Sequence, residues 1–254
     1  SSQMALTIFL PAVVNMSESL NTSLTTIQLV IPAYLCAFAI MQLVAGPLSD
    51  AFGRRPIILC GVGLFTLASI ACGISNNIEQ LLLSRFFQAM GACTTIVVGR
   101  AIVRDGSDGK TAARTLSYLA MALAVGPAIA PFFGGYLVSW FDWRATFIST
   151  ALLGACALIT AIPRFNETLT TDMRRKLDFS GMFRNYLILT RNRLFLGYSL
   201  SIAFLTGTFQ TFIVAAPIVM IDQMGVSPEL FGLYVMTVPG TFIIASFISA
   251  RLSS

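Results

Sequence analysis

Long apolar runs alternate along the chain with short polar or charged interruptions. Leu29 to Ala45 and Ile57 to Ala71 are two such runs, separated by the charged turn GPLSDAFGRRP from Gly46 to Pro56. A bilayer-crossing helix needs about 20 apolar residues, and runs of this kind are read as spans. The pattern predicts a second span over 24–48, a third over 56–75, a fourth over 79–101 and a fifth over 112–138. A sixth follows over 145–163, a seventh over 194–221 and an eighth over 230–250. Residues 1–14 are apolar but too short to cross, and read as the outer part of a first span whose start is missing. Polar residues 15–26 form the first outer loop, Asn76 to Glu79 a tight outer turn, and Asp222 to Glu229 another outer loop. The expected fold is an all-α membrane protein. Residues 1–163 make a six-helix bundle, 164–193 a linker, and 194–254 the first two helices of a second set. Two complete sets would hold 12 helices, so the chain reads as a fragment with about 8 of them.

Charge gives this layout an orientation. Of the 16 basic residues, all but Arg85 and Arg144 fall on one side of the expected membrane. They include Arg54, Arg55, Arg100, Arg104, Lys110, Arg114 and Arg251, together with Arg164, Arg174, Arg175, Lys176, Arg184, Arg191 and Arg193 of the linker. Cytoplasmic loops collect Lys and Arg, so the 46–56 turn and the linker are placed inside. The outer loops carry Glu18, Glu79, Asp142, Asp222 and Glu229. The net charge of +5 is thus a topological device facing anionic lipid, and no nucleic-acid partner is implied. Trp140, Phe141 and Trp143 sit where an interfacial aromatic belt belongs. Phe179 to Leu189 is mildly amphipathic, either a helix lying on the membrane surface or a plain connector.

Composition agrees. Hydrophobic residues make up 56% of the 254 and charged ones only 11%, against about 25% in soluble domains. Five scattered Cys and no His give neither a disulfide framework nor a metal site, and no cofactor is expected. The chain carries no phosphate-cradling Gly-rich loop with Lys, which argues against ATP-driven export.

Few residues are candidates for chemistry. Asp50, Gly53, Arg54 and Arg55 form either an ordinary charged loop or a latch between helix bundles. Arg85 is a charge inside the fourth span. Burying it costs several kcal/mol unless it is paired, and the alternative is snorkelling to the outer interface. Gln88 lies one turn away on the same side. In the fifth span, Pro127 and Pro131 remove backbone donors, while Gly126, Gly134 and Gly135 admit a close neighbour. Such a helix suits a moving interface, or is ordinary membrane Gly and Pro. Gln28, Tyr34, Gln42 and Gln210 are polar positions that hold helices together or line a cavity. No Asp or Glu lies mid-span; Asp50 and Asp105 stand at helix ends on the cytoplasmic face.

Taken together, these motifs resemble the major facilitator superfamily, and within it the Bcr/CflA and EmrD-type multidrug exporters. GPLSDAFGRRP is similar to the signature between helices 2 and 3, which implies a cytoplasmic gate through Asp50 and Arg54. SRFFQAMG at 84–91 resembles the helix 4 signature, which implies a proton-coupling role for Arg85; Ala89 stands where Gly is usual. GPAIAPFFGG at 126–135 resembles the helix 5 signature of antiporters. RAIVRD, ending at Asp105, also has the look of this group. Thr7 occupies a position where many relatives carry Asp in helix 1.

The resemblance implies a multi-pass inner-membrane transporter, not an enzyme, that exports small amphipathic or cationic drugs in exchange for protons by alternating access. It would work as a monomer in lipid, and antibiotic resistance would follow. A major facilitator carrier of a specific metabolite, such as an amino acid or sugar, is the nearer alternative. A non-transporting receptor or scaffold is the more distant one.

Overall fold

The computed structural model describes residues 4–105, 109–169, 172, 174, 177–235 and 237. The helices are α1 (Val13–Ser19), α2 (Leu24–Ile27), α3 (Val30–Phe52), α4 (Arg54–Gly73), α5 (Ile78–Asp105), α6 (Gly109–Trp140), α7 (Trp143–Arg164), α8 (Phe179–Arg191) and α9 (Arg193–Pro217). A π turn, Ile218–Gln223, continues α9. Five helices among the described residues are long and apolar enough to cross a membrane: Leu24–Phe52, Arg54–Gly73, Ile78–Asp105, Trp143–Arg164 and Arg193–Gln223. They correspond to the second, third, fourth, sixth and seventh predicted spans. The fifth predicted span lies in α6, which is 32 residues long but not among those five. The predicted eighth span lies largely outside the described residues.

Local chemistry sets the helix ends. Ser23 accepts from the Thr26 amide at 3.1 Å to start α2. Asn77 and Gln80 form a reciprocal cap at the start of α5: the Gln80 amide donates to Asn77 at 2.8 Å, and the Asn76 amide donates to the Gln80 side chain at 3.0 Å. Asp142 caps α7, Asp178 caps α8, and Asn192 both ends α8 and caps α9. Between α3 and α4 stands Gly53, with φ +101°, a backbone geometry that side chains rarely tolerate.

The first segment departs from expectation. It is not the end of a regular helix but two short 3-10 turns, Met4–Leu6 and Leu10–Ala12, leading into α1. Pro11 lacks an amide donor and opposes α geometry at Leu10, which breaks the helix there. The expected outer loop at 15–26 is correspondingly more helical. Val13, Met16 and Leu20 fall at helical spacing, and all three are buried.

α5 is the central rod. It packs on α3 and α4, and α4 in turn packs on α7. Small residues set these distances. A Cβ on Gly91 would strike the backbone of Gly61 and Phe65, and one on Gly154 would meet Thr66 and Phe65. One apolar cluster gathers Phe9, Met16, Leu81, Trp143, Phe147 and neighbours. A second gathers Ala5, Tyr34, Phe65, Ala89 and Ala92. Outward faces are apolar, as lipid contact requires, with Leu67, Leu152 and Leu205 exposed. Trp140 and Phe141 are also exposed at the end of α6, as the predicted aromatic belt requires, but Trp143 is fully buried in the core and is not part of it.

Candidate functional site

Two charged constellations stand out, one at the helix ends and one in the bundle interior. The first is centred on Arg54, which is only 5% exposed. Its Nη1 pairs with Asp50 at 2.5 Å and its Nε with Asp105 at 2.9 Å. Nη1 also donates to the Ser49 hydroxyl, which donates onward to the Gly46 carbonyl at 2.8 Å. One guanidinium therefore ties the end of α3, the start of α4 and the end of α5. Asp105 belongs to this cluster and makes no contact with Arg85 among those described.

The sequence reading missed the acid that completes the cluster. Glu167, just past α7, accepts from the backbone amides of Arg54 at 2.9 Å and Arg55 at 3.3 Å. It thereby caps the positive end of α4 with a carboxylate. Its Oε1 also takes the Thr168 and Leu169 amides at 3.1 Å, and Arg174 stands 3.9 Å away. Partial burial pushes this carboxyl upward, but the Leu169, Arg54 and Arg55 amides and the Arg174 charge outweigh it and hold the pKa below the ordinary value. A Cβ on Gly53 would collide with Glu167, so the glycine is needed for space as well as for its φ. The Arg55 side chain donates to the Ile162 carbonyl at 3.0 Å, a second tie to the end of α7. The legible signal was weak: Glu167 is one of three acids, with Asp172 and Asp178, in a mainly basic connector.

Two prolines recruit donors from other elements. Pro47 cannot bond the carbonyl four residues earlier, and the Tyr186 hydroxyl of α8 donates to that Leu43 oxygen at 2.8 Å. Pro131 likewise leaves the Pro127 carbonyl open, and Thr7 donates toward it at 3.5 Å. The position noted for lacking an Asp thus has a packing role. Along α6, Gly126 faces Met4, Gly134 the Ile8 carbonyl, and Gly135 the Pro228–Glu229 backbone. The helix does admit close neighbours on both sides.

The second constellation surrounds Arg85, fully buried at 0% exposure; it does not snorkel. Nη1 donates to the Ala5 carbonyl at 2.9 Å and to Gln88 at 2.7 Å. Gln88 donates to Ser69 at 2.7 Å, and Ser69 to the Phe65 carbonyl at 2.7 Å. The guanidinium carbon lies 4.4 Å from the Phe9 ring centre, 4.5 Å from Tyr34 and 5.6 Å from Phe147. Such contacts contribute about 0.5–2 kcal/mol each and offset part of the desolvation cost. Nε and Nη2 have no hydrogen-bond partner, and Arg85 is in none of the ion pairs among the described residues. Of the polar candidates, only Tyr34 and Gln88 reach Arg85. Gln28 ends α2, Gln42 is exposed, and Gln210 is half-buried. Ser69 and the Ala5 carbonyl were not foreseen; Ser69 was visible only as one of two hydroxyls, with Thr66, in the apolar run of α4.

Among the described residues there is no cluster of three or more groups able to hold a metal. The chain is 33% identical over 248 residues to the uncharacterized MFS-type transporter YdgK of Bacillus subtilis, a match covering 94% of this chain and 61% of that protein. It is 30% identical over 244 residues to the bicyclomycin resistance protein homolog of Haemophilus influenzae, covering 96% and 61%. The multidrug transporter MdfA of Yersinia pestis is 29% identical over 243 residues, covering 96% and 59%. The chain thus spans about three fifths of the length of these curated relatives. In fold it resembles a bacterial homolog of the human lysosomal transporter Spinster, with a TM-score of 0.78 at 19% identity, covering 99% of this chain and 58% of that one. The D-xylose-proton symporter gives 0.64 at 16% identity, covering 98% and 67%. The family model of the Major Facilitator Superfamily matches residues 1–254, and the chain belongs to that superfamily.

Proposed function

We propose that this chain forms part of a secondary transporter that exports small amphipathic compounds, drugs among them, across the inner membrane in exchange for protons. In this reading residues 1–163 are the first bundle, 164–193 the cytoplasmic linker, and 194–254 the start of a second bundle, giving about 8 of 12 helices. The observation that carries it is the Arg54 hub. A nearly buried guanidinium shared by Asp50 and Asp105 ties three helix ends of the first bundle at one membrane face, and so fixes the charged surface on which a second bundle would close. Arg85 sits buried inside the bundle about two turns from the start of α5, and in this reading it couples protonation to the state of the cavity. α6, with its prolines and close glycine contacts, shapes the moving interface. Cationic substrates, admitted by the sequence, meet a like charge at Arg85, so the reading narrows to neutral and anionic amphipaths. The kinship with a multidrug transporter and a bicyclomycin resistance homolog supports drugs over sugars.

The test is susceptibility to a drug panel in a pump-deficient host expressing the gene that encodes this chain, with and without a proton uncoupler. Raised tolerance that the uncoupler abolishes is the expected result. Unchanged tolerance across the panel, with the protein present in the membrane, overturns the proposal.

A further inference from the structure

Arg85 presents an unusual half-site. Nη1 is engaged, while Nε and Nη2, which have no partner among the described residues, lie along one edge of the guanidinium plane. Their N–H bonds run parallel on that edge, the spacing that receives the two oxygens of a carboxylate in a bidentate pair. Phe9, Tyr34 and Phe147 lie around the guanidinium with the buried Cys72 thiol nearby, and no acid pairs with it among the described residues. A charged fork in an apolar cage fits a ligand with one carboxylate and an apolar body. A bare inorganic anion would satisfy the fork but leave the rings without a use.

We propose that the Nε–Nη2 edge of Arg85 binds the carboxylate of the transported compound, so that the substrates are amphipathic monocarboxylates. This rests on the export reading above and specifies its substrate class. In the present structure the edge is covered. The segment Met4–Ala12, with its two short 3-10 turns, packs against the guanidinium through the Ala5 carbonyl on Nη1 and the Phe9 ring 4.4 Å from the guanidinium carbon. Displacing that segment would open one side of the guanidinium without unwinding a long helix.

Equilibrium dialysis of the purified protein in detergent at neutral pH tests this, using octanoate, octanamide, octyltrimethylammonium and chloride. Trp143 is a native reporter of the same site: its ring meets Phe147 edge-on at 6.0 Å, and Trp140→Phe removes the only other tryptophan. Octanoate is expected to bind saturably, to alter Trp143 emission, and to exceed octanamide by about tenfold or more, the strength of a charge-assisted bond. The cation should not bind. Arg85→Lys, which keeps the charge but loses the planar fork, should weaken octanoate by about tenfold.

Equal affinity for octanoate and octanamide, absence of octanoate binding, or unchanged binding in Arg85→Gln each overturns the proposal. So does saturation by chloride that octanoate cannot displace, which would assign the edge to an inorganic anion. If the Arg85 variants fail to fold, the comparison of ligands on the unaltered protein decides alone. Uncoupler-sensitive drug export with no preference for octanoate would remove this inference and leave the export reading intact. Octanoate preference without export would do the reverse.

Discussion

Glu167 offers the most direct test of how the Arg54 cluster is built. It lies outside the conspicuous GPLSDAFGRRP segment, yet it accepts the first two amides of α4 and two more in its own turn. Losing a side-chain cap costs about 0.5–2 kcal/mol. Losing a negative charge at a helix start adds about 0.3–1 kcal/mol. The pair with Arg174, at 3.9 Å between partly exposed side chains, adds almost nothing. Glu167→Ala should therefore cost about 1–2.5 kcal/mol, and Glu167→Gln, which keeps a neutral acceptor, about 1 kcal/mol. At about 2–4 °C per kcal/mol, the thermal midpoint falls by about 2–10 °C for Ala and about 2–4 °C for Gln. The pKa direction gives the sign of the pH effect. The folded-state value lies below the ordinary 4.5, so the contribution is complete above pH 4.5 and is lost as pH falls through the folded value. Unfolding of purified protein should separate the unaltered chain from Glu167→Gln at neutral pH and bring them together on acidification. Identical midpoints at neutral pH, or a gap that does not close in acid, would refute this account of the cap.

Three further outcomes follow from the same geometry. Arg85→Ala should abolish export by the full protein while insertion and abundance stay normal; undiminished export at equal abundance would end the coupling role. Asp50→Asn removes one partner of Arg54 and leaves Asp105, and because Asp50 is 40% exposed the loss is at the low end of a charge-assisted bond. Turnover should drop by about tenfold with substrate affinity nearly unchanged, and a loss confined to affinity would count against a gate. Tyr186→Phe strands the Leu43 carbonyl at about 1 kcal/mol, so hydrogen exchange in α8 should speed up, and an unchanged rate would show that the bond does not hold the helix.

The period and length of the apolar runs were enough to identify an all-α membrane protein and to locate five of its long helices to within a few residues. Those features depend on local composition: a span must be about 20 residues of apolar side chain wherever it packs. The motif at 46–56 and the lone Arg85 were likewise visible, because a charge among apolar residues is conspicuous without a fold. What they bond to was not. Glu167 stands 113 residues from Arg54, and the Ala5 carbonyl 80 residues from Arg85. No sequence period connects such pairs; only the packing of α4 against α7, and of the first 3-10 turn against the helix bundle, brings them within hydrogen-bond range. The same is true of the prolines. Sequence shows that Pro47 and Pro131 each strand a carbonyl, but only the folded chain decides that Tyr186 and Thr7 supply the missing donors. The first segment diverged furthest, because a buried arginine and Pro11 outweighed the apolar composition that favoured a regular helix.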